Sequence, residues 1–200
     1  MIRFAGSAGW RIALALSLLC AATLQAQRRT PMRVMTLTST AFSDGGAVPA
    51  KHAQAGEELS PPLAWSGAPD STKSFVLIVH DADVATGNGT DDLLHWMVWN
   101  IPGSATSLAQ GVPHGAVLAD SARQISASGP YYRGPGAPVS GAPHHYVFEL
   151  YALDTMLDIP AVGQSPAATR AAVLAAIAGH VRGKGVLVAL YRRPPPPPTP

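Results

Sequence analysis

Five apolar residues in a row, Phe75 to Val79, sit inside KSFVLIVHDAD (residues 73–83). This run limits what the chain can fold into more than any other stretch. Successive residues of a strand face opposite sides of a sheet, so an unbroken apolar run of strand length calls for burial on both faces. LLHWMVWNIPG (93–103), HHYVFELYALD (144–154) and KGVLVALYRR (184–193) read as further strands, the first of them stopped by Pro102 and Gly103. SPAATRAAVLAAIAGHV (165–181) is the one segment that predicts a helix: Ser165 is a natural N-cap, Pro166 suits the first turn and alanines fill the middle. Residues 35–64 are strand-like pieces broken by turns, and Pro61 and Pro62 rule out a helix there. The predicted architecture is mostly antiparallel β with one late helix, arranged as a two-sheet sandwich. Between 103 and 143 lies a long stretch rich in Gly, Ser and Pro; loops of that length inside a domain usually serve function.

The two ends read differently. Arg3 and Arg11 precede an uncharged stretch from Ile12 to Gln27, shorter than the roughly 20 apolar residues of a membrane span. A basic start, a short apolar run and Ala26 form the pattern of a cleaved secretory signal. The expectation is a signal segment over 1–26 cut after Ala26, a linker over 27–33, a folded domain over 34–193 and a disordered Pro-rich tail over 194–200, with a periplasmic or secreted location and no stable membrane insertion afterwards. Loss of Arg3 and Arg11 lowers Lys+Arg from 14 to 12, equal to the 12 Asp+Glu. Nothing in a near-neutral mature chain supports a surface for nucleic acid or anionic lipid. The single Cys, Cys20, falls in the removed segment, so neither a disulfide nor thiolate chemistry is expected.

Several strands end on ionisable groups. Alternation puts Phe75, Leu77, Val79, Asp81 and Asp83 on one face, His95, Met97 and Trp99 on another, and His144, Tyr146, Phe148 and Leu150 on a third, with His145 turned away. Three apolar faces that each end in a polar group can converge on a small polar pocket at the rim of the core. A metal would draw on Asp81, Asp83, His95, His144 and His145, but no zinc spacing such as HExxH is present. A serine hydrolase would need a GxSxG elbow, which is missing. No metal and no cofactor is expected.

STAFSDGGAVP, GEELSPPLAWSGAP, SFVLIVHDADV, LLHWMVWNIP, YRGPGAP with HHYVFELYALD, and VLAAIAGHVRGKGVLVALYRR occur in that order from about Thr36 to Arg193. Together they resemble the phosphatidylethanolamine-binding protein (PEBP) family, in its bacterial Raf-kinase-inhibitor-like branch. The resemblance implies a PEBP-like antiparallel β-sandwich with a C-terminal helix and short peripheral helices. It also implies a pocket for anions such as phosphate and phosphorylated head groups, lined by Asp81, Asp83, His95, Gly136, Pro138, His144 and Tyr146. The chain departs from the family pattern at Ala82 and Ala85, where the Asp-Pro-Asp-x-Pro segment has prolines, at Ala137 in the Gly-Pro-Pro loop, and at Gln54, where a Cys is frequent.

Imidazole, phenol and loop N–H groups are the donors a phosphate oxygen needs, and glycine lets backbone approach a ligand. Asp81, an acceptor when ionised, is expected to orient an imidazole. Histidine donors would make anion binding weaken as pH rises through about 6 to 7. The resulting expectation is an exported, non-enzymatic binding protein for a small anionic ligand, with room for a protein partner. The alternatives are an enzyme using the same acid–base groups (isomerase, lyase or phosphoester hydrolase) and an inhibitor of a protease or kinase.

Overall fold

The apolar runs form long strands. The computed structural model describes residues 31–196. The expected signal segment, most of the linker and the last four residues of the tail lie outside them. In chain order the elements are β1 (Arg33–Val34), β2 (Thr36–Thr38), β3 (Gly46–Ala47), a 3₁₀ turn (Ala50–His52), β4 (Leu63–Ser66), β5 (Ser74–Thr86), β6 (Asp91–Pro102), β7 (Ser107–Leu108), β8 (Arg123–Ile125), β9 (His144–Leu153), α1 (Pro166–Ile177) and β10 (Val181–Tyr191). One sheet has the order β1-β10-β9-β5-β6-β8, with β3 also on β10; the other is β2-β4-β7. The long strands pair antiparallel, as expected. The short β1 and β3 join β10 in parallel, because the chain re-enters along that edge without a hairpin. Strand β1 starts at Arg33, inside the predicted linker. Of the expected peripheral helices, only the 3₁₀ turn is present among the described residues.

The large sheet is buried on both faces, and this accounts for the unbroken apolar run. Phe75, Leu77 and Val79 of β5 meet Leu37 of β2 and Leu63 and Trp65 of β4 in the core between the sheets. Val76 and Ile78 face the other way, onto Val173 and Ile177 of α1. Burying an aliphatic or aromatic side chain of this size contributes about 1.5–3 kcal/mol, so the helix side is a second core and not a decoration. Helix α1 begins as predicted: the Ser165 hydroxyl accepts from the Ala168 N–H, with Pro166 at the first position. Among the described residues no helix is long and apolar enough to cross a membrane.

Candidate functional site

The site forms on the inter-sheet side where Asp81, within β5, and His95, within β6, lie beside the start of β9. The β5–β6 register runs Val79↔Trp96 and then His80↔Leu94, so His95 has no partner and β6 bulges there. A bulge breaks alternation. Trp96 joins the inter-sheet core, while Met97 and Trp99 join the helix-side core. His95 meets Tyr146 edge to face, with ring centroids 5.0 Å apart and planes at 89°. The expectation that His95 shares a face with Met97 and Trp99 is therefore corrected: the extra residue returns His95 to the side of Asp81 and Tyr146.

Strand β9 pairs Tyr146 with Asp81 on β5. One turn of the pleat away, His144 Nδ1 lies 2.8 Å from Asp81 Oδ2, a diagonal cross-strand contact. The other oxygen, Asp81 Oδ1, accepts from the Asp83 N–H at 3.0 Å. Asp81 is 2% exposed, and a buried carboxylate needs such partners. Because a carboxylate only accepts, His144 donates from Nδ1, and Nε2 is its free nitrogen. His95 Nδ1 lies 2.9 Å from the Arg133 carbonyl and so donates to it; the Arg133 N–H returns a bond to the His95 carbonyl at 2.9 Å. His95 Nε2 is buried and has no partner among the described residues. Burial pushes the His95 pKa below the ordinary value, although the Arg133 carbonyl opposes this. The Tyr146 hydroxyl accepts from the Gly136 N–H at 3.2 Å; burial, and then the Asp81 charge, push its pKa up and keep it a phenol.

The Gly136 loop is anchored on the segment after the 3₁₀ turn. Gln54 Nε2 donates to the Gly134 carbonyl at 2.8 Å, the Gln54 N–H donates to the Pro135 carbonyl at 3.0 Å, and the Gly134 N–H donates to Glu58 Oε1 at 3.0 Å. A Cβ at Gly134 would lie 2.6 Å from the His52 carbonyl, and one at Gly136 2.7 Å from the Gln54 amide. Close approach to backbone requires glycine at 134, whereas at 136 the close neighbour is the end of the Gln54 side chain. Gln54, a departure from the family pattern, thus acts as a clamp on this loop.

The sequence-predicted residues divide. Asp81, His95, His144, Tyr146 and Gly136 come together. Asp83 turns to the outer rim: its side chain is 40% exposed, and its Oδ2 accepts from the His145 N–H at 2.5 Å and faces His145 Nδ1 at 2.9 Å. That N–H contact, with the ring, holds the Asp83 carboxyl below its ordinary pKa. Pro138 is exposed beyond the buried part of the loop. Sequence reasoning missed Tyr191. In register it sits opposite His144, it is buried in the inter-sheet core, and its hydroxyl is buried without a partner. It borders a cleft of about 560 Å³ shared with Val48, Pro143, Leu190 and Arg192. The signal was available in VLVALY, where Leu187, Ala189 and Tyr191 alternate inward, but only the β9–β10 register shows what Tyr191 faces. Glu58 and Arg133 were also missed, since both act through loop backbone.

A family model described as phosphatidylethanolamine-binding protein matches residues 38–192. The chain belongs to the phosphatidylethanolamine-binding protein family. Among its relatives is a UPF0098 protein of Methanothermobacter thermautotrophicus, 43% identical over 161 residues, covering 80% of this chain and 99% of that protein. Another, from Pyrococcus horikoshii, is 36% identical and covers 78% of this chain and 75% of the relative. A crystal structure of a putative PEBP homolog from Chlamydia trachomatis superposes with a TM-score of 0.67 at 33% identity, over 80% of this chain and 99% of that one. The Escherichia coli protein YbcL, described as a new member of the mammalian PEBP family, gives 0.67 at 26% identity over 80% and 98%. The PEBP match takes in every candidate site residue and leaves out the first 37 positions.

Proposed function

We propose that this PEBP-family protein is an exported, non-enzymatic binding protein whose small rim pocket takes phosphate or a phosphorylated head group. The observation that carries the reading is the Asp81–His144 contact of 2.8 Å beside Tyr146 and His95. Asp81 fixes the orientation of the His144 ring, and the His144 side chain, 21% exposed, is the most exposed of the four side chains. As an imidazolium it donates from both nitrogens, one to Asp81 and one to a phosphate oxygen. Export rests on the signal pattern over residues 1–26. Calorimetric titration with inorganic phosphate tests the pocket: saturable binding is expected, weakened at least about tenfold in His144→Ala by loss of a charge-assisted hydrogen bond. Equal affinity in the variant and the unaltered protein overturns capture by histidine. Fractionation of the producing cells, with the cleaved N-terminus read by mass spectrometry, tests export.

A further inference from the structure

The hydrogen-bonding balance of the pocket goes beyond anion binding in general. The Gly134 N–H is committed to Glu58 and the Gly136 N–H to the Tyr146 hydroxyl. His144 Nδ1 and His95 Nδ1 donate to Asp81 and to the Arg133 carbonyl. Apart from the Tyr146 O–H, which accepts from Gly136 and keeps its own proton to give, what remains free is mostly acceptor. His95 Nε2 presents a lone pair when that ring is neutral, and His144 Nε2 does the same when His144 is neutral. Asp81 adds a negative charge. A fully deprotonated oxyanion would meet lone pairs and a carboxylate here, an unfavourable arrangement where water is excluded. An oxyanion that keeps an acidic O–H fits: its hydroxyl donates to His95 Nε2 while its other oxygens accept from His144.

We infer that the pocket selects oxyanions that carry a proton, hydrogen phosphate and singly ionised phosphomonoesters, and that His95 is the specificity-determining residue that accepts the ligand's O–H. The inference rests on the proposed anion-binding role. It stands on a buried ring, 2% exposed, with one nitrogen committed and the other unpartnered. Around this ring stand Asp81 from β5, Tyr146 from β9, and Arg133 and the Gly134 backbone from the loop that carries Gly136. Burial that disfavours the charged ring points the same way. A buried acceptor without a partner normally has a water or a ligand to satisfy it.

The test uses the mature full-length protein at about pH 7 with inorganic phosphate, sulfate and methylammonium as probes, read by calorimetry at matched ionic strength. Phosphate keeps at least one P–O–H in the neutral range, whereas sulfate keeps none. Phosphate is expected to bind at least about tenfold more tightly than sulfate, a difference of about 1.4 kcal/mol. Methyl phosphate, which loses its last P–O–H near about pH 6, is expected to lose affinity above that value more steeply than inorganic phosphate does. His95→Leu, which removes the lone pair and supplies no other acceptor, is expected to narrow the preference toward equality, with thermal unfolding confirming that the variant is folded. Equal affinity for the two anions in the unaltered protein overturns the inference and leaves the anion pocket standing, with a water serving His95. Binding of methylammonium with neither anion bound overturns the anion-binding reading itself.

Discussion

His144 and His145 are adjacent, yet each takes a different aspartate in a different environment. His144 turns inward to Asp81, which is buried, and His145 turns outward to Asp83, which is half in solvent. The same pair chemistry should therefore differ in worth. Removing Asp81 leaves two part-buried donors, His144 Nδ1–H and the Asp83 N–H, without their acceptor, and each costs up to about 1–3 kcal/mol where water cannot replace it. Removing Asp83 exposes donors that water can serve, and exposed pairs are worth about 0–1 kcal/mol. Urea denaturation should show Asp81→Ala destabilised by about 2 kcal/mol or more and Asp83→Ala by less than about 1. A larger loss for Asp83→Ala would mean that the rim pair, not the buried one, holds β5 to β9. Much of this pair was legible in HDAD and HHY because alternation alone separates the two histidines. That Asp83 follows His145 rather than Asp81 was not, since β5 leaves its regular register between Asp81 and Thr86.

At the scale of elements, β6 carries the most consequence per residue. Trp96, beside the bulge at His95, faces the inter-sheet core with Val98, where its indole N–H donates to Gln124 Oε1 at 2.9 Å. The Gln124 amide in turn donates to the carbonyls of Pro113 and Gly115 at 2.6 and 2.9 Å. One fully buried side chain thus ties β8 to β6 and to the long connection, which sequence reading could describe only as Gly-, Ser- and Pro-rich. Gln124→Leu leaves one buried donor and two carbonyls without partners. At about 1–3 kcal/mol each, the expected loss is about 3 kcal/mol or more, with a matching fall in the thermal midpoint. A loss below about 1 kcal/mol would show that the connection is held by other contacts. Strand identity was legible because apolar runs and Pro–Gly stops are local signals. The bulge was not, because it exists only in the pairing of β6 with β5, and no residue of LLHWMVW announces it. The helix was legible down to its cap, since Ser165 and Pro166 act within their own turn.

On the scale of the molecule, a row of charge crosses the helix-side face of the large sheet. His80 of β5 contacts Asp92 of β6 through Nδ1 and lies 3.6 Å from Glu149 of β9 through Nε2. Arg170 of α1 reaches Asp92, and Lys184 of β10 reaches Glu149 at 2.5 Å and lies over the Tyr151 ring. Five elements are thereby linked, and the link should respond to pH in a definite direction. The His80 imidazole, then Lys184, hold the Glu149 pKa down from 4.5 to about 2. Its contribution is therefore complete above about pH 4.5 and lost as pH falls through about 2. Burial opposes the charge on His80, but Glu149 and Asp92 prevail and raise its pKa above 6.5, so its contribution is complete below about pH 6.5 and lost as pH rises beyond. The network should be strongest between those limits. Glu149→Gln removes the shared carboxylate, so the difference in urea midpoint between this variant and the unaltered protein should peak between about pH 4.5 and 6.5. There it is expected to correspond to about 1–3 kcal/mol. It should shrink toward pH 2 as the carboxylate protonates, and shrink in part above the His80 value while Lys184 still holds Glu149. A difference that stays constant from about pH 2 to 9 would mean that Glu149 acts by packing on Tyr151 and Lys184 and that the charge row does not hold the five elements together.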